Sequence, residues 1–489
     1  MIRGRRLCEP AACIRSIDGD FVTSTLRRTL LVLLSLLALA QPAAARLSAQ
    51  PERLPAVPVA RDLAQIRDSG ELRVLVNQGR NTYSSVRGQA TGIENVRLEA
   101  FLHFLNLPRG GTTRSVRMKV IPLPKEQLLA ALQRGEGDLL VPGELLDLPA
   151  TSSLVASQPI AQQVPLVAVT RQGLHHYQRI EQLAGRVLVL PAGSAAMPAI
   201  LRINQQLRDS HKPPLMIDWA DPSLGPEDVL EMVAAGIYRL AVVELPVAER
   251  WARVLPGLRI ERKLEFDRGD LTWVVRRDAP ILLASVNFFL RNDTPASSVD
   301  DAFLRTYRRQ YKVHNPLSAA DLRRLEKLRP VLQRHAAQHN LDWLLLAALA
   351  YKESSLNPAA RGGHGATGLM QVTPAAGRSV GVGNIQNLDN NVEAAARYLD
   401  KIRRSYFANP QMAERERMAF MLAAYNLGPQ RVQNMRAEAR RRGLNANQWF
   451  FQVERIAAET LGLHTVTYVG SLNKYYQAFA DQRDFLEPR

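Results

Sequence analysis

Glu353 is the acidic residue whose setting most suggests chemistry, because it ends a long apolar segment. Residues 344–351 read LLLAALAY, and Asn357-Pro358 stops the segment as a helix. Burial disfavours the ionised form of a carboxyl group, so a glutamate at the end of a buried helix suits a general acid near neutral pH. Taken alone, a solvated surface glutamate is the more common interpretation. The segments that follow must therefore decide between the two.

Three later segments combine amides, a thioether and tyrosines at the ends of apolar helices. Residues 365–374 read GATGLMQVTP, which predicts a glycine-permitted turn that enters a helix. Residues 423–428 read AAYNLG and end another apolar helix. Taken singly, such residues more often pack in a core. The candidates in these segments and the last predicted helix are Met370, Gln371, Tyr425, Asn426 and Tyr468.

Taken in this order, the four motifs resemble the soluble lytic transglycosylase family of the lysozyme-like superfamily. The resemblance covers residues 325–480 and implies an all-α-dominated, lysozyme-like domain that cleaves peptidoglycan glycan strands. It implies that Glu353 is the catalytic acid/base. It also implies that the residues contacting substrate are Ser354, Met370, Gln371, Tyr425, Asn426 and Tyr468.

The distribution of carboxylates agrees with a single-acid mechanism. No Asp or Glu lies between Glu353 and Asp389, whereas most glycosidases hold two carboxylates about 5–10 Å apart. The resemblance implies that Glu353 protonates the glycosidic oxygen and then takes the proton of the sugar's 6-hydroxyl, leaving a 1,6-anhydromuramoyl end without water, metal or cofactor. Tyr468 and Asn426 would then stabilise the sugar, and Tyr425 would position Glu353. A hydrolytic muramidase stays open, because a distant carboxylate could fold back.

The first half of the chain has an alternating α/β texture, which predicts parallel sheets covered by helices. Three stretches resemble family-three periplasmic solute-binding proteins: GELRV at 70–74, LQRGEGDLL at 132–140 and LAGRVLVLPAGS at 183–194. The resemblance covers residues 70–310 and implies a hinged, two-lobed domain. Strands are expected at 72–76, 118–121, 138–141, 164–169, 187–190, 240–243 and 271–275.

Ser194 and the amides after Gly193 are the candidate ligand site of this domain, because an anion can bind at a helix N-terminus. Residues 144–150 lack the arginine that amino-acid binders of the family place there, which argues against ordinary amino-acid capture. The expected ligands are wall peptides or muropeptides. A scaffold that binds nothing is the alternative.

Near residues 315–318 the sequence pattern changes from alternating strands and helices to amphipathic helices. Helices are expected at 319–339, with an interruption at Pro330, and at 341–353, 391–404 and 415–425. The predicted domains are a signal peptide at 1–45, a linker at 46–69, the solute-binding-like domain at 70–313 and the transglycosylase domain at 318–489.

The N-terminus predicts export. Arg27 and Arg28 precede a short apolar run and small residues at 43–45, as in a secretory signal peptide, although an uncleaved anchor is the alternative. Cys8 and Cys13 would leave with it. The net charge of +17 would become +14, since residues 1–45 carry six arginines and three acidic residues. Such a basic surface favours anionic partners, and export argues against nucleic acid.

The order of the two domains resembles the membrane-bound lytic murein transglycosylase F family. This resemblance implies a periplasmic enzyme, peripheral to the outer membrane, whose partners are peptidoglycan strands and, at the N-terminal domain, wall peptides. A ligand-binding receptor with a non-catalytic peptidoglycan-binding module is the competing hypothesis. The intact Glu353, Gln371 and Asn426 argue against it.

Overall fold

Two five-stranded β-sheets organise the described residues up to position 292. The structure, a computed structural model, describes residues 61–108, 115–149, 151–292, 298–308 and 313–487. The strands are β1 (Glu71–Asn77), β2 (Ser85–Val86), β3 (Gln89–Ala90), β4 (Arg117–Leu123), β5 (Leu139–Val141), β6 (Leu154–Ala156), β7 (Ala161–Arg171), β8 (Val187–Leu190), β9 (Met216–Trp219), β10 (Leu240–Glu244), β11 (Leu258–Leu271) and β12 (Val274–Arg276). The predicted signal peptide, with Cys8 and Cys13, lies outside the described residues.

Each sheet forms the centre of one lobe. The first has the order β4-β1-β5-β12-β6 and the second β11-β7-β10-β8-β9. β1 pairs in parallel with both of its neighbours, and its continuous apolar run is typical of a strand covered on both faces. The chain passes from the first lobe to the second after β6 and returns at β12. The predicted two-lobed α/β fold is therefore confirmed.

Helices cover both sheets. They are α1 (Leu63–Ser69), α2 (Ile93–Leu105), α3 (Lys125–Gln133), α4 (Met197–Asp209), α5 (Pro226–Ala235), α6 (Leu245–Ala252), α7 (Pro280–Asn292) and α8 (Ser298–Tyr307). α1 corrects the prediction of a linker up to residue 69. Asp62 caps α1, and Leu63 and Ile66 are buried in the core of the first lobe because they fall on one face.

The strand predicted at 271–275 is also wrong as a single element. β11 ends at Leu271 in the second sheet, and β12 begins at Val274 in the first. The residues are apolar on both sides of the break because Leu271 packs in the second lobe and Val274 and Val275 pack in the first. The break between the strands is the chain's return from one lobe to the other.

The remainder of the described chain is helical. Its helices are α9 (Ala319–Gln338), α10 (Trp343–Ser354), α11 (Pro374–Ser379), α12 (Leu388–Tyr406), α13 (Glu414–Leu427), α14 (Pro429–Arg441), α15 (Glu454–Leu461), α16 (Leu463–Ala480) and α17 (Arg483–Leu486). Ser318 caps α9 as predicted, accepting a hydrogen bond from the backbone N–H of Asp321. The interruption predicted at Pro330 was wrong. Buried Leu328 and Leu332 flank the proline, and their packing holds the helix continuous.

The helical part packs firmly against the second lobe. One hydrophobic cluster runs from Val243 and Trp251 in that lobe to Leu346 and Phe420 among the helices, and residues 59–489 form one compact unit. A buried ammonium–carboxylate cluster reinforces this junction. Lys474 Nζ of α16 lies 2.8 Å from Asp228 and 2.5 Å from Glu231, both on α5. Within the described ranges, no helix is both long and apolar enough to cross a membrane.

Candidate active site

Helix α10 positions Glu353. Asp342 caps its N-terminus, and every residue from Trp343 to Tyr351 is buried, so the apolar run forces the helix through the core. The helix ends where Ser355 and Leu356 adopt the left-handed conformation, with φ of 52° and 60°. The abrupt end releases the chain at Glu353, whose side chain is partly buried at the helix terminus.

Tyr468 of α16 is the direct partner of Glu353. Its hydroxyl donates a hydrogen bond of 2.5 Å to Glu353 Oε1. Burial raises the pKa of Glu353, while the Tyr468 hydrogen bond and the positive charge of Lys352 oppose the rise. No neighbouring carboxylate contributes to the shift. Burial alone therefore favours the protonated form of Glu353. The sequence predicted both residues but gave Tyr468 a role toward the sugar, whereas in the structure its hydroxyl contacts Glu353.

The loop between α10 and α11 is fastened by side chains from the second motif. Ser354 Oγ lies 2.8 Å from the carbonyl oxygen of Leu369, which joins the end of α10 to the loop. The Gln371 amide donates to the carbonyl oxygens of Gly368 at 2.9 Å and Ala360 at 3.3 Å. The Gln371 backbone is left-handed, with φ of 48°. Ser354 and Gln371 therefore shape the loop beside Glu353.

Met370 lies elsewhere than the sequence indicated. Its side chain is fully buried in the helical core rather than lining an open cleft. A thioether packs well in such an apolar interior. The backbone of Met370, not its side chain, contacts the residues that hold the loop. Its carbonyl oxygen accepts a hydrogen bond of 2.8 Å from the Tyr425 hydroxyl.

Tyr425 thus supports the loop, not Glu353, because its single hydroxyl proton is donated to Met370. It remains near the acid, since burial and then the negative charge of Glu353 raise the Tyr425 pKa well above its usual range. Asn426, the next residue, is exposed at the end of α13. The structure therefore brings Glu353, Ser354, Gln371, Tyr425 and Tyr468 into one region, with Met370 beneath it.

The sequence did not point to Asn391. It is fully buried at the start of α12, and its Oδ1 accepts a hydrogen bond of 2.8 Å from the Met370 N–H. Its Nδ2 donates to the carbonyl oxygens of Thr367 at 2.9 Å and Ile385 at 2.8 Å. Its position could have been noticed, because Asn391 lies four residues before buried Ala395 and therefore on the apolar face of the helix.

Ser194, the candidate ligand residue of the N-terminal lobes, lies in the turn before α4. It is partly buried, and its Oγ accepts a hydrogen bond of 3.3 Å from the backbone N–H of Ala196. The hydroxyl therefore already serves one amide of this turn. In the part of the chain that the structure describes, no group of three or more His, Cys, Asp or Glu side chains could hold a metal ion.

Two solved structures are similar to about half of this chain. An amino acid ABC transporter substrate-binding protein from Streptococcus pneumoniae, bound to L-arginine, is 18% identical with a TM-score of 0.39. The match covers 51% of this chain and 99% of that protein. The periplasmic VFT2 domain of BvgS from Bordetella pertussis is 23% identical with a TM-score of 0.37, covering 50% of this chain and 95% of the domain.

Comparisons by sequence concern both halves. Residues 330–448 match the family model described as "Transglycosylase SLT domain". A Desulfosudis oleivorans protein named membrane-bound lytic murein transglycosylase F is 26% identical over 403 residues, which are 79% of this chain and 82% of the relative. A Shewanella baltica protein of the same name is 27% identical over 429 residues, 83% and 85% of the two chains. Residues 330–448 thus match a transglycosylase SLT domain, and the chain is similar, over about four fifths of its length, to proteins named membrane-bound lytic murein transglycosylase F.

Proposed function

We propose that this protein is a peptidoglycan lytic transglycosylase that cleaves the β-1,4 bond between N-acetylmuramic acid and N-acetylglucosamine. The observation that carries the proposal is Glu353, a desolvated carboxyl group at the end of α10 within a transglycosylase SLT domain. Burial raises the pKa of Glu353 and so favours the protonated form that a general acid needs.

In this reaction Glu353 first gives up a proton and then takes one back. Glu353 donates its proton to the glycosidic oxygen, and the bond to the anomeric carbon of the muramic acid breaks. The resulting carboxylate takes the proton of the 6-hydroxyl as that oxygen closes onto the anomeric carbon. Tyr468 holds Oε1 of Glu353 through both steps, and its hydrogen bond stabilises the carboxylate that exists between them. Water is not consumed.

Product analysis tests the reaction class. Purified peptidoglycan is digested by the full chain in water enriched in ¹⁸O, and the released muropeptides are weighed by mass spectrometry. A lytic transglycosylase yields 1,6-anhydro ends with no label, whereas a hydrolytic muramidase yields reducing ends that carry one ¹⁸O. Labelled products that depend on Glu353 would replace the proposal with hydrolysis. Binding of peptidoglycan without any release would favour a receptor.

We infer further that the chain works in the periplasm at the outer membrane surface. The predicted signal peptide and the charge of +14 that remains without it support this location, because anionic lipid head groups attract a basic surface. Cell fractionation tests it. The protein should sediment with outer membranes and be released by high salt, since screening weakens such attraction.

We also propose that the two-lobed domain binds wall peptides or muropeptides and adjusts cleavage. The contacts of Asp228 support a mechanical connection. Asp228 of the second lobe pairs with Arg80 of the first at 2.6 Å and with Lys474 of α16 at 2.8 Å. α16 is also the helix that carries Tyr468, so a relative movement of the lobes would reach the partner of Glu353.

Calorimetry with purified wall peptides on the full chain tests the binding, and turnover of peptidoglycan with and without them tests the effect. Coupling between sites is typically about 1–3 kcal/mol, or roughly 5–150-fold in affinity, and it is reciprocal. A glycan in the catalytic cleft should therefore tighten peptide binding by the same factor. If no peptide binds and turnover ignores added peptides, the two lobes are a scaffold only.

A further inference from the structure

The cleft between the two lobes contains a buried ammonium group of the chain itself. Lys125, the first residue of α3 in the first lobe, places Nζ 2.9 Å from Glu144 Oε2 and 3.6 Å from Glu244 Oε1. Glu144 follows β5 of the first lobe, and Glu244 ends β10 of the second. In open α/β sheets, ligands bind beyond the carboxyl ends of the strands, which is where these two glutamates lie.

The two carboxylates are held by further contacts. Asn77 Nδ2, at the end of β1, donates to Glu144 Oε1 at 3.0 Å. The backbone N–H of Leu145 donates to Glu244 Oε1 at 3.2 Å, across the boundary between the lobes. Lys125, Glu144 and Glu244 are only 3–6% exposed. Carboxylates this deeply buried need a positive partner, and Lys125 supplies it to both.

Little space remains around the lysine. A cavity of about 30 Å³ borders Asn77, Lys125 and Glu144, which is room for about one water molecule. Gly193 of the second lobe approaches so closely that a Cβ there would lie 3.0 Å from the Cβ of Lys125. The second lobe is therefore packed directly onto the aliphatic part of the lysine side chain.

We propose that Lys125 is an intramolecular ligand, an alkylammonium group that fills a cation site built from Glu144 and Glu244 and joins the lobes without an added ligand. Other contacts keep the lobes together independently of it. Arg80 binds Asp228 at 2.6 Å, and Arg250 Nη2 of the second lobe donates to the Thr91 carbonyl oxygen of the first at 2.8 Å. The site therefore persists as a preformed pocket when the lysine side chain is shortened.

The proposal defines the chemistry of the pocket. Its occupant is a primary ammonium on a flexible alkyl chain, since two carboxylates hold the ammonium and the second lobe packs on the aliphatic carbons. An external ligand reaches Glu144 and Glu244 only by displacing Lys125, and it must bring its own ammonium group to do so.

Chemical rescue of Lys125→Ala in the full chain tests the site. n-Propylammonium supplies the atoms that the substitution removes, and thermal unfolding reports binding because a ligand that binds only the folded state raises Tm. Lys125→Ala should lower Tm, and n-propylammonium at about ten times its Kd should restore about 1–2 °C, with saturation. Neutral 1-propanol should restore nothing. Wild type and Lys119→Ala, which removes an exposed lysine of β4, should not respond.

An equal response of all three proteins to n-propylammonium, or no response of Lys125→Ala, overturns the proposal. If Lys125→Ala does not fold, reductive methylation of the native wild type decides instead, with peptide mass spectrometry as the readout. Lys125 should stay unmodified under conditions that methylate Lys119. Ready methylation of Lys125 would show that its ammonium is not held between the glutamates.

Discussion

The hydroxyl of Tyr468 donates a hydrogen bond of 2.5 Å to Oε1 of Glu353 and thereby ties α16 to the end of α10. The bond favours the ionised carboxylate and so lowers a pKa that burial raises. Lys352 adds its charge in the same direction, and its Nζ lies 5.8 Å from the centre of the Tyr468 ring. Glu353 is therefore set between desolvation, which favours its protonated form, and two groups that favour its ionised form.

Tyr468→Phe should raise the pKa of Glu353 and slow cleavage. The ring still packs, since Tyr468 is only 7% exposed, but the carboxylate loses its donor. A hydrogen bond to a charged group contributes about 1.5–3 kcal/mol, so kcat should fall by about 10–100-fold. A general acid must be protonated, so the alkaline limb of the pH–rate profile should move to higher pH.

Tyr476→Phe is the matched control for this substitution. Tyr476 also lies on α16, but its hydroxyl donates to Asp342 at the opposite end of α10, over 2.9 Å. It should leave the pH–rate profile in place. A Tyr468→Phe profile that coincides with that of wild type would refute the positioning role.

Glu353→Gln should abolish cleavage while the protein stays folded. The amide has the shape of the acid and can accept the Tyr468 hydrogen bond, but it cannot give and retake a proton. General acid–base catalysis typically contributes about 10²–10⁴-fold, so release of muropeptides should fall at least that far. Glu414→Gln, at an exposed position of α13, should keep normal activity. Substantial turnover by a well-folded Glu353→Gln protein would remove Glu353 from the mechanism.

Much of this arrangement was predictable because local patterns agree with the tertiary structure. The apolar run that ends at Glu353 could only be a buried helix, and the strands with continuous apolar runs, such as β8 at Val187–Leu190, fall where they were expected. β11 was missed. Its residues 259–270 are mostly charged, with apolar side chains at Ile260, Leu264 and Phe266, so its apolar content is low although its pairing with β7 is extensive.

The contacts around the site could not be predicted from the sequence, for a different reason. A tyrosine hydroxyl donates one proton, and which acceptor takes it depends on positions set by the whole core. Hence Tyr468, not Tyr425, binds Glu353. Likewise, the pairing of Lys125 with Glu244 joins residues that are far apart in the sequence and belong to different lobes. No local pattern reports such a pair.

Asn391→Ala should lower activity by loosening the loop beside Glu353. The substitution leaves the Met370 N–H and the carbonyl oxygens of Thr367 and Ile385 without their buried partner, at about 1–3 kcal/mol for each unsatisfied group. Both Tm and kcat should fall. Asn391→Asp should not recover the loss, because it places an unpaired buried carboxylate oxygen against the carbonyl oxygens of Thr367 and Ile385.

The adjacent Asn390 provides the control, because its Nδ2 donates to the Gly383 carbonyl oxygen at 3.1 Å on the exposed side of α12. Asn390→Ala should leave kcat unchanged and lower Tm only slightly. Equal losses of kcat in Asn390→Ala and Asn391→Ala would show that the loop is not held by Asn391 in particular.

Glu454→Gln should stabilise the protein, and increasingly so as the pH rises from about 4.5 to 7. Glu454 is buried at the start of α15, and burial raises its pKa from 4.5 to about 7. In that pH window the unfolded chain releases a proton that the folded chain retains. The free energy of unfolding of the wild type therefore falls with rising pH, whereas glutamine makes no such contribution.

The advantage of Glu454→Gln over wild type should grow by about 1–3 kcal/mol between pH 5 and pH 7.5 and then stay constant, because both states are ionised above the folded pKa. Thermal or denaturant unfolding at several pH values measures it. Glu144, whose pKa burial also raises to about 7, titrates in both proteins and cancels in the difference. Exposed Glu414→Gln should show no such trend. A stability difference between wild type and Glu454→Gln that does not change with pH would mean that Glu454 is ionised in the folded protein throughout this range.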